Sequence, residues 1–163
     1  MEYGKEKRIA QLLAEDLFLL TTTQIMMKSD EPMSQRENGL YFEAVKRVCA
    51  GEPYQYVVGF SWFYGEKFKV TTDTLIPRNE TEELVMFVLD EESDNGQTAV
   101  DIGTGTGAIP VTLQNHWNNN KVYATDISQG ALGVAKENRD SHDVDITFYQ
   151  GDLYSPLIEN KIK

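Results

Sequence analysis

Val100-Asp101-Ile102-Gly103-Thr104-Gly105-Thr106-Gly107-Ala108-Ile109 is the stretch whose reading decides the fold. The apolar lead-in from Thr98 to Ile102 reads as a buried strand, and it breaks into three glycines at alternate positions. Ala108, Ile109, Val111, Leu113 and Trp117 then follow at the spacing of a helix's apolar face. Strand, tight turn and helix bring backbone N–H groups and a helix N-terminus up against a ligand. Glycine is required because a Cβ would hinder both positive φ angles and close approach of the ligand. Asp101, just before the turn, bears on what that ligand is. A pyrophosphate cradle is poorly served by a carboxylate at its mouth, whereas an ammonium or sulfonium group is well served. A nucleotide-binding turn remains the competing reading.

Outward from this loop the pattern is regular. Gly107 to Trp117 reads as a helix, Asn118-Asn119-Asn120 as a turn, and Val122 to Thr125 as a strand ending at Asp126. Ser128 is placed to cap a helix running to about residue 140, with Ala131, Leu132 and Ala135 on one face, and Asp145 to Tyr149 reads as a third strand ending at Gly151-Asp152. Strands alternating with helices of this length imply a parallel sheet with crossover connections. Ligands on such sheets bind beyond the carboxyl ends of the strands. The glycine turn, Asp126 and Asp152 all fall at those ends. Leu157 to Lys163 resembles the approach to a fourth strand. Since three parallel strands rarely complete such a sheet, the chain is expected to be part of a longer protein.

The N-terminal third reads differently. Ile9, Leu12, Leu13, Leu17 and Leu20 form a helical stripe, Thr21-Thr22-Thr23 marks a break, and Ile25-Met26-Met27 is a short apolar patch. Ser34 with Glu37 forms a capping box for a second helix, with Leu40, Tyr41, Ala44, Val45 and Val48 as its stripe and Gly51 as its end. The stripes and the Met pair are expected to form a small helical core. Pro53 to Gly59 reads as a helical turn. Residues 61–64 and 67–70 flank Gly65-Glu66 as a hairpin. Leu75 to Thr81 is a proline-containing loop entering a helix capped by Asn79 or Thr81, with Leu84, Val85, Val88 and Leu89 as its stripe. Asp90 to Gly96 reads as a solvated acidic loop. The domain reading is therefore a helical domain over 1–58, a hairpin linker over 59–75, and an α/β domain over 76–163.

Composition limits the function classes. Among 163 residues, 40% are hydrophobic and 25% charged, as in ordinary globular proteins. No apolar run reaches the roughly 20 residues of a membrane span, and Met1 to Arg8 lacks the apolar core of a signal peptide, so a cytoplasmic location is expected. The net charge of −11 disfavours binding nucleic acid through its backbone. The single cysteine, Cys49, excludes an internal disulfide and reads as a buried, inert thiol. His116 and His142 have no Cys or His neighbour at ligand spacing, so they read as surface residues and no metal site is expected.

At this point the residues resemble a named family. Asp-x-Gly-x-Gly-x-Gly with Asp126 closing the next strand is similar to the S-adenosylmethionine loop of class I methyltransferases. Gly51-Glu52-Pro53, Gln55-Tyr56, Gly59, Phe63-Tyr64-Gly65, Phe68-Lys69-Val70 and Leu75-Ile76-Pro77-Arg78-Asn79-Glu80-Thr81-Glu82 resemble the linker signature of the HemK/PrmC family. The resemblance continues through Asp101–Ile109, Asp126-Ile127-Ser128, Ala131-Leu132, Ala135, Asn138 and Gly151-Asp152-Leu153, and reaches back to Asp30–Ser34. It implies a truncated class I, Rossmann-like parallel sheet preceded by a helical domain and a β-hairpin linker. Asn79 departs from the proline common at its position, and Pro110 is tolerable in a first helical turn. One more N-terminal helix is usual in the family than the stripe before Ile9 supplies.

The family's enzymes methylate a glutamine side-chain amide of class 1 peptide chain release factors, using S-adenosylmethionine. Carried over, Gly103, Thr104, Gly105, Thr106 and Gly107 would border the methionine part of the cofactor, with Asp101 near its ammonium group. Asp126 would accept hydrogen bonds from the ribose hydroxyls, and Asp152 with the Leu153 backbone would meet the adenine edge. Arg78, Glu80 and Thr81 line or brace the pocket; an Arg–Glu pair fixing the linker is the alternative. A glutamine nitrogen is a poor nucleophile, so catalysis is mainly orientation. The family's Asn-Pro-Pro-Tyr motif, which does that orienting, is expected beyond residue 163, and no catalytic residue is assigned within this chain. Competing readings are a ribosomal-protein glutamine methyltransferase and a nucleotide-binding Rossmann half-domain.

Overall fold

Three parallel strands carry the glycine turn, and everything that positions it packs against them. The structure, a computed structural model, describes residues 2–91 and 95–162, with side chains from Arg8 onward. Its contacts divide the chain into two units, 1–58 and 59–163.

The first unit is helical, with α1 (Glu2–Phe18), α2 (Thr22–Met27), α3 (Gln35–Cys49) and α4 (Tyr54–Val58). Its core is Leu13, Ala44 and Val57, joined by Ile9, Leu17, Tyr41, Val45 and Val48. Two tyrosines fasten it by donating to helix carbonyls, Tyr41 to Ala10 and Tyr54 to Leu12, each at 3.0 Å. Tyr54 also donates to the Asp16 carboxylate. Ser34 and Glu37 form the expected capping box of α3.

Four expectations in this unit need correction. The Thr21–Thr23 run does not simply break the chain: Thr21 caps α2 through a second capping box with Gln24. The left-handed Leu19, with φ 54°, supplies the break instead. Met26 and Met27 are 70% and 79% exposed, because a six-residue helix can turn only one narrow face inward. Leu40 lies on the outer side of α3, and Cys49 is exposed at its end rather than buried.

The second unit begins with β1 (Phe60–Phe63) and β2 (Glu66–Lys69), an antiparallel hairpin. The two-residue turn is Tyr64-Gly65, one position earlier than Gly65-Glu66. Both residues have positive φ (52° and 76°), the combination that matches the twist of tight hairpins. Glu82 on α5 (Asn79–Glu91) accepts the Tyr64 N–H at 2.9 Å. Then follow β3 (Thr98–Ile102), α6 (Ala108–His116), β4 (Lys121–Asp126), α7 (Gln129–His142), β5 (Ile146–Gln150) and α8 (Ser155–Glu159). The sheet order is β3-β4-β5, all parallel.

One core joins the hairpin's Phe63 and Phe68 to Val85 of α5, Val111 and Leu113 of α6, and Val122, Ala124 and Ile146 of the strands. The two phenylalanine rings meet edge-on, and burying each ring contributes on the order of 1.5–3 kcal/mol. Asn120 seals the entry to β3: its Oδ1 accepts the N–H groups of Asn95, Gly96 and Gln97 at 3.1, 2.9 and 2.8 Å.

The described residues cover only one edge of β3. Val100 and Ile102 are 39% and 46% exposed, and among the described residues β3 pairs with β4 alone. On α5, Leu84 faces outward while Val85 is buried. The helix runs through Glu91 into the expected acidic loop, of which residues 92–94 lie outside the described residues. Ser155–Glu159, with Pro156 in its first turn, form a short helix; the stretch expected to approach a fourth strand runs on from it to Lys163, which lies outside the described residues.

Candidate functional site

The glycine turn, Asp126 and Gly151-Asp152 stand together at the carboxyl ends of β3, β4 and β5. The turn is built on β4. The Thr125 carbonyl accepts the N–H groups of Gly103 and Thr104 at 2.8 and 3.0 Å, and the Thr104 carbonyl accepts that of Gly107 at 2.9 Å. Gly103, Gly105 and Gly107 all have positive φ (78°, 55° and 76°). At Gly103 and Gly105 an added Cβ would meet nothing within 4 Å, so the space above the turn is open. At Gly107 it would stand 3.1 Å from Ala135 Cβ, so that glycine is demanded by close packing against α7 as well as by its φ.

Asp126 is half-buried and tied to the backbone by both oxygens. Oδ2 accepts the Gly105 N–H and Oδ1 accepts the Ser128 N–H, each at 2.8 Å. Ser128 then caps α7 by accepting the Ala131 N–H. The carboxylate therefore builds the turn and the α7 entry even before any ligand is considered.

Asp101 differs in kind. Its Oδ2 is enclosed with no hydrogen-bond partner, and so is the Oγ1 of Thr104 beside it. Burial pushes the Asp101 carboxyl above its ordinary 3.8, and the negative Asp126 nearby pushes the same way. The Thr104 side chain opposes the shift without reaching hydrogen-bond geometry. Buried polar atoms almost always find partners, so an unpartnered pair at a strand end marks a place where a donor belongs.

A cavity of about 140 Å³ lies between the glycine turn and the loop after the hairpin, bordered by Phe63, Leu75, Pro77, Arg78 and Thr81. Arg78 and Thr81 reach it. Among the described residues neither Arg78 nor Glu80 is joined in an ion pair, so the alternative reading, an Arg–Glu pair fixing the linker, is not what the structure forms. Asp152 is exposed, with its carbonyl accepting the Ser155 N–H. Leu153 has φ 48°, and its carbonyl accepts the Thr125 hydroxyl at 2.9 Å.

Among the described residues no group of three or more Cys, His, Asp or Glu side chains is assembled for a metal. His142 is not a free surface residue: it stacks on Phe68 and lies 3.5 Å from Glu66. His116 bonds the Thr112 carbonyl at 2.8 Å and meets the Tyr64 ring edge-on. No helix among the described residues is long and apolar enough to cross a membrane.

Residues 80–163, more than half the chain, match the methyltransferase small domain. The chain belongs to that family. Residues 2–59 match the PrmC N-terminal domain, in agreement with the HemK/PrmC resemblance carried by the linker. Similar relatives include the release factor glutamine methyltransferase of Staphylococcus aureus, 39% identical over 98% of this chain and 57% of that protein. The Bacillus subtilis protein of the same name is 37% identical over 97% and 57%. The chain thus spans a little over half the length of the relatives it matches. Among solved structures, the Pyrococcus abyssi tRNA (uracil-54, C5)-methyltransferase in complex with S-adenosyl-L-homocysteine is 18% identical with a TM-score of 0.48, covering 57% of this chain and 23% of that one.

The role of Asn138 is not legible in the sequence pattern of this methyltransferase small domain. It stands where α7's inward face calls for an apolar side chain, i+3 from Ala135 and i+7 from Ala131. An asparagine on such a stripe, together with its place in the family resemblance, is the signal that points to it.

Proposed function

We propose that this chain is the cofactor-binding portion of a protein-(glutamine) methyltransferase that uses S-adenosylmethionine and acts on class 1 peptide chain release factors in the cytoplasm. The observation that carries the reading is the enclosed, unpartnered Oδ2 of Asp101 beside the glycine turn. An ammonium group supplies both the missing donor and the countercharge, and a phosphate supplies neither. The open space over Gly103 and Gly105 is the room a ligand needs to approach the backbone. The names carried by the Staphylococcus and Bacillus relatives support the substrate assignment.

On this reading Asp101 and Thr104 hold the amino-acid end of the cofactor, against the backbone of Gly103, Gly105, Thr106 and Gly107. Each Asp126 oxygen bonds one backbone N–H and keeps a lone pair for a ribose hydroxyl. Asp152 and the Leu153 backbone border the adenine, and Arg78, Glu80 and Thr81 border the reacting end. Bound S-adenosylmethionine supplies a methyl group made electrophilic by its sulfonium. This chain's residues bind and orient; none of its 163 is assigned a catalytic role.

The test is calorimetric titration of the chain with S-adenosylhomocysteine and, separately, NAD. Binding of the first and not the second is expected. Binding of NAD alone would overturn the reading and return the glycine turn to the nucleotide-binding class.

A further inference from the structure

Asn138 is 1% exposed, and every polar atom of its side chain is used. Its Oδ1 accepts the Lys69 N–H at 2.7 Å, while its Nδ2 donates to the Lys69 carbonyl at 3.0 Å and the Thr106 carbonyl at 2.8 Å. Lys69 lies opposite Phe60 in the hairpin, and its N–H and C=O reach α7 rather than β1. The side-chain amide thus pairs with the open edge of β2 as a neighbouring peptide would. One turn further along α7, His142 bonds the Lys67 carbonyl on the same edge at 3.1 Å.

The third bond makes the arrangement more than an edge filler. Thr106 belongs to the glycine turn, and the next residue, Gly107, already packs on Ala135 one turn before Asn138. α7 is therefore the surface against which the last part of the turn is shaped. The hairpin leads directly into Leu75–Arg78, the opposite wall of the cavity. A single buried amide holds both walls, one at Thr106 and the other through β2.

We propose that Asn138 is a positioning residue that sets the glycine turn against the hairpin, so that order in one is coupled to order in the other and both respond to cofactor. The cofactor part rests on the reading under Proposed function; the coupling part does not. Without Asn138, the Lys69 N–H, the Lys69 carbonyl and the Thr106 carbonyl lose their buried partner together, and the turn and the hairpin edge lose the buried side chain that bonds to both.

The experiment is residue-resolved amide hydrogen exchange on the whole chain, without ligand, for wild type and the near-isosteric Asn138→Leu. The Lys69 N–H loses its acceptor directly and must exchange faster in either case. The deciding amide is Gly107, whose N–H bonds the Thr104 carbonyl and never touches Asn138. Its exchange is expected to rise at least about tenfold, the size of losing one buried hydrogen-bond partner, while Val122 in the sheet stays unchanged. Acceleration at Lys69 with Gly107 unmoved would overturn the proposal and leave Asn138 as packing for the hairpin edge. If Asn138→Leu does not fold, Asn138→Asp decides: it keeps the acceptor for Lys69 and loses both donors, so Gly107 is expected to loosen while Lys69 stays protected. Adding S-adenosylhomocysteine gives the last arm. In wild type it is expected to slow exchange at Lys69, which does not line the cavity, and to do so less in the variant. Equal protection in both would overturn the coupling. Absence of protection at any amide would count against the cofactor reading, with the ligand-free comparison still deciding Asn138.

Discussion

Replacing Asp101 with asparagine separates what this carboxylate costs the ligand-free protein from what it gives the complex. Oδ2 is enclosed and unpartnered, and burial holds the carboxyl above its ordinary value. The folded pKa is raised, so the folded state binds the proton more tightly than the unfolded chain. Stability is then greatest below the ordinary carboxylate range and falls as pH rises through the folded value. Asp101→Asn removes the titration altogether. The ligand-free variant is expected to melt above wild type at neutral pH, with the gap closing in acid. Its complex should show the reverse. A hydrogen bond between a carboxylate and an ammonium contributes about 1.5–3 kcal/mol, so the dissociation constant for S-adenosylhomocysteine should rise between about tenfold and about 150-fold. Methylthioadenosine, which lacks the amino-acid end, should bind both proteins alike. Calorimetry with the two ligands and melting curves across pH give all four quantities. Equal affinity of the variant and wild type for S-adenosylhomocysteine would refute the ammonium assignment. A less stable variant at neutral pH would refute the claim that the carboxylate is an unpaired buried charge.

Asp126→Ala should raise the dissociation constant for S-adenosylhomocysteine at least about tenfold, and should also destabilise the ligand-free chain by about 1–3 kcal/mol, because the Gly105 and Ser128 N–H groups lose their acceptor; calorimetry and chemical denaturation measure the two. Gly107→Ala combines positive φ with a 3.1 Å clash on Ala135 and should cost more than Gly103→Ala, which meets open space and bears only the roughly 1–2 kcal/mol of the left-handed conformation. Ser34→Ala should destabilise the helical unit by about 1 kcal/mol. Hydrogen bonds from Ser34 hold the Glu37 carboxyl below its ordinary 4.5, so the Glu37 contribution is present above that range and is lost as pH falls through the folded value; the melting difference from wild type should narrow in acid.

The elements that announce themselves by local chemistry were readable. Ser34 and Glu37 define a cap within four residues, and the alternation of strand and helix after residue 97 leaves few topologies open. The carboxyl-end grouping of the glycine turn, Asp126 and Asp152 follows from that topology alone. What was hidden depends on which neighbour is present. Val100 and Ile102 are as apolar as any core strand, and only the pairing shows that among the described residues β3 has β4 as its one neighbour, which leaves them partly exposed. Met26 and Met27 look like core until α2 proves too short to turn both inward. Cys49 sits beside Val48, which joins the core, yet a 100° step around α3 carries it outward. Asn138 is the hardest case, since three partners up to 69 residues away give it its role.

Asp126 shows why the site is more than a collection of ligand contacts. A strand-end carboxylate free of the protein would have to give up water to receive a ribose, and its orientation would be fixed only on binding. Here both oxygens are already aimed by backbone N–H groups from two different segments, the glycine turn and the entry to α7. Those same bonds hold Gly105 in its positive-φ conformation, so part of the turn's shape is already set before a ligand arrives. The neighbouring Asp101 is treated oppositely: enclosed, unpartnered and raised. On the proposed reading, two carboxylates on adjacent strands divide the work, one spending its hydrogen bonds on the shape of the turn and the other keeping an oxygen for a cation. If the ligand is the proposed cation, it relieves the repulsion between them, which a neutral or anionic ligand at the same strand ends would leave standing.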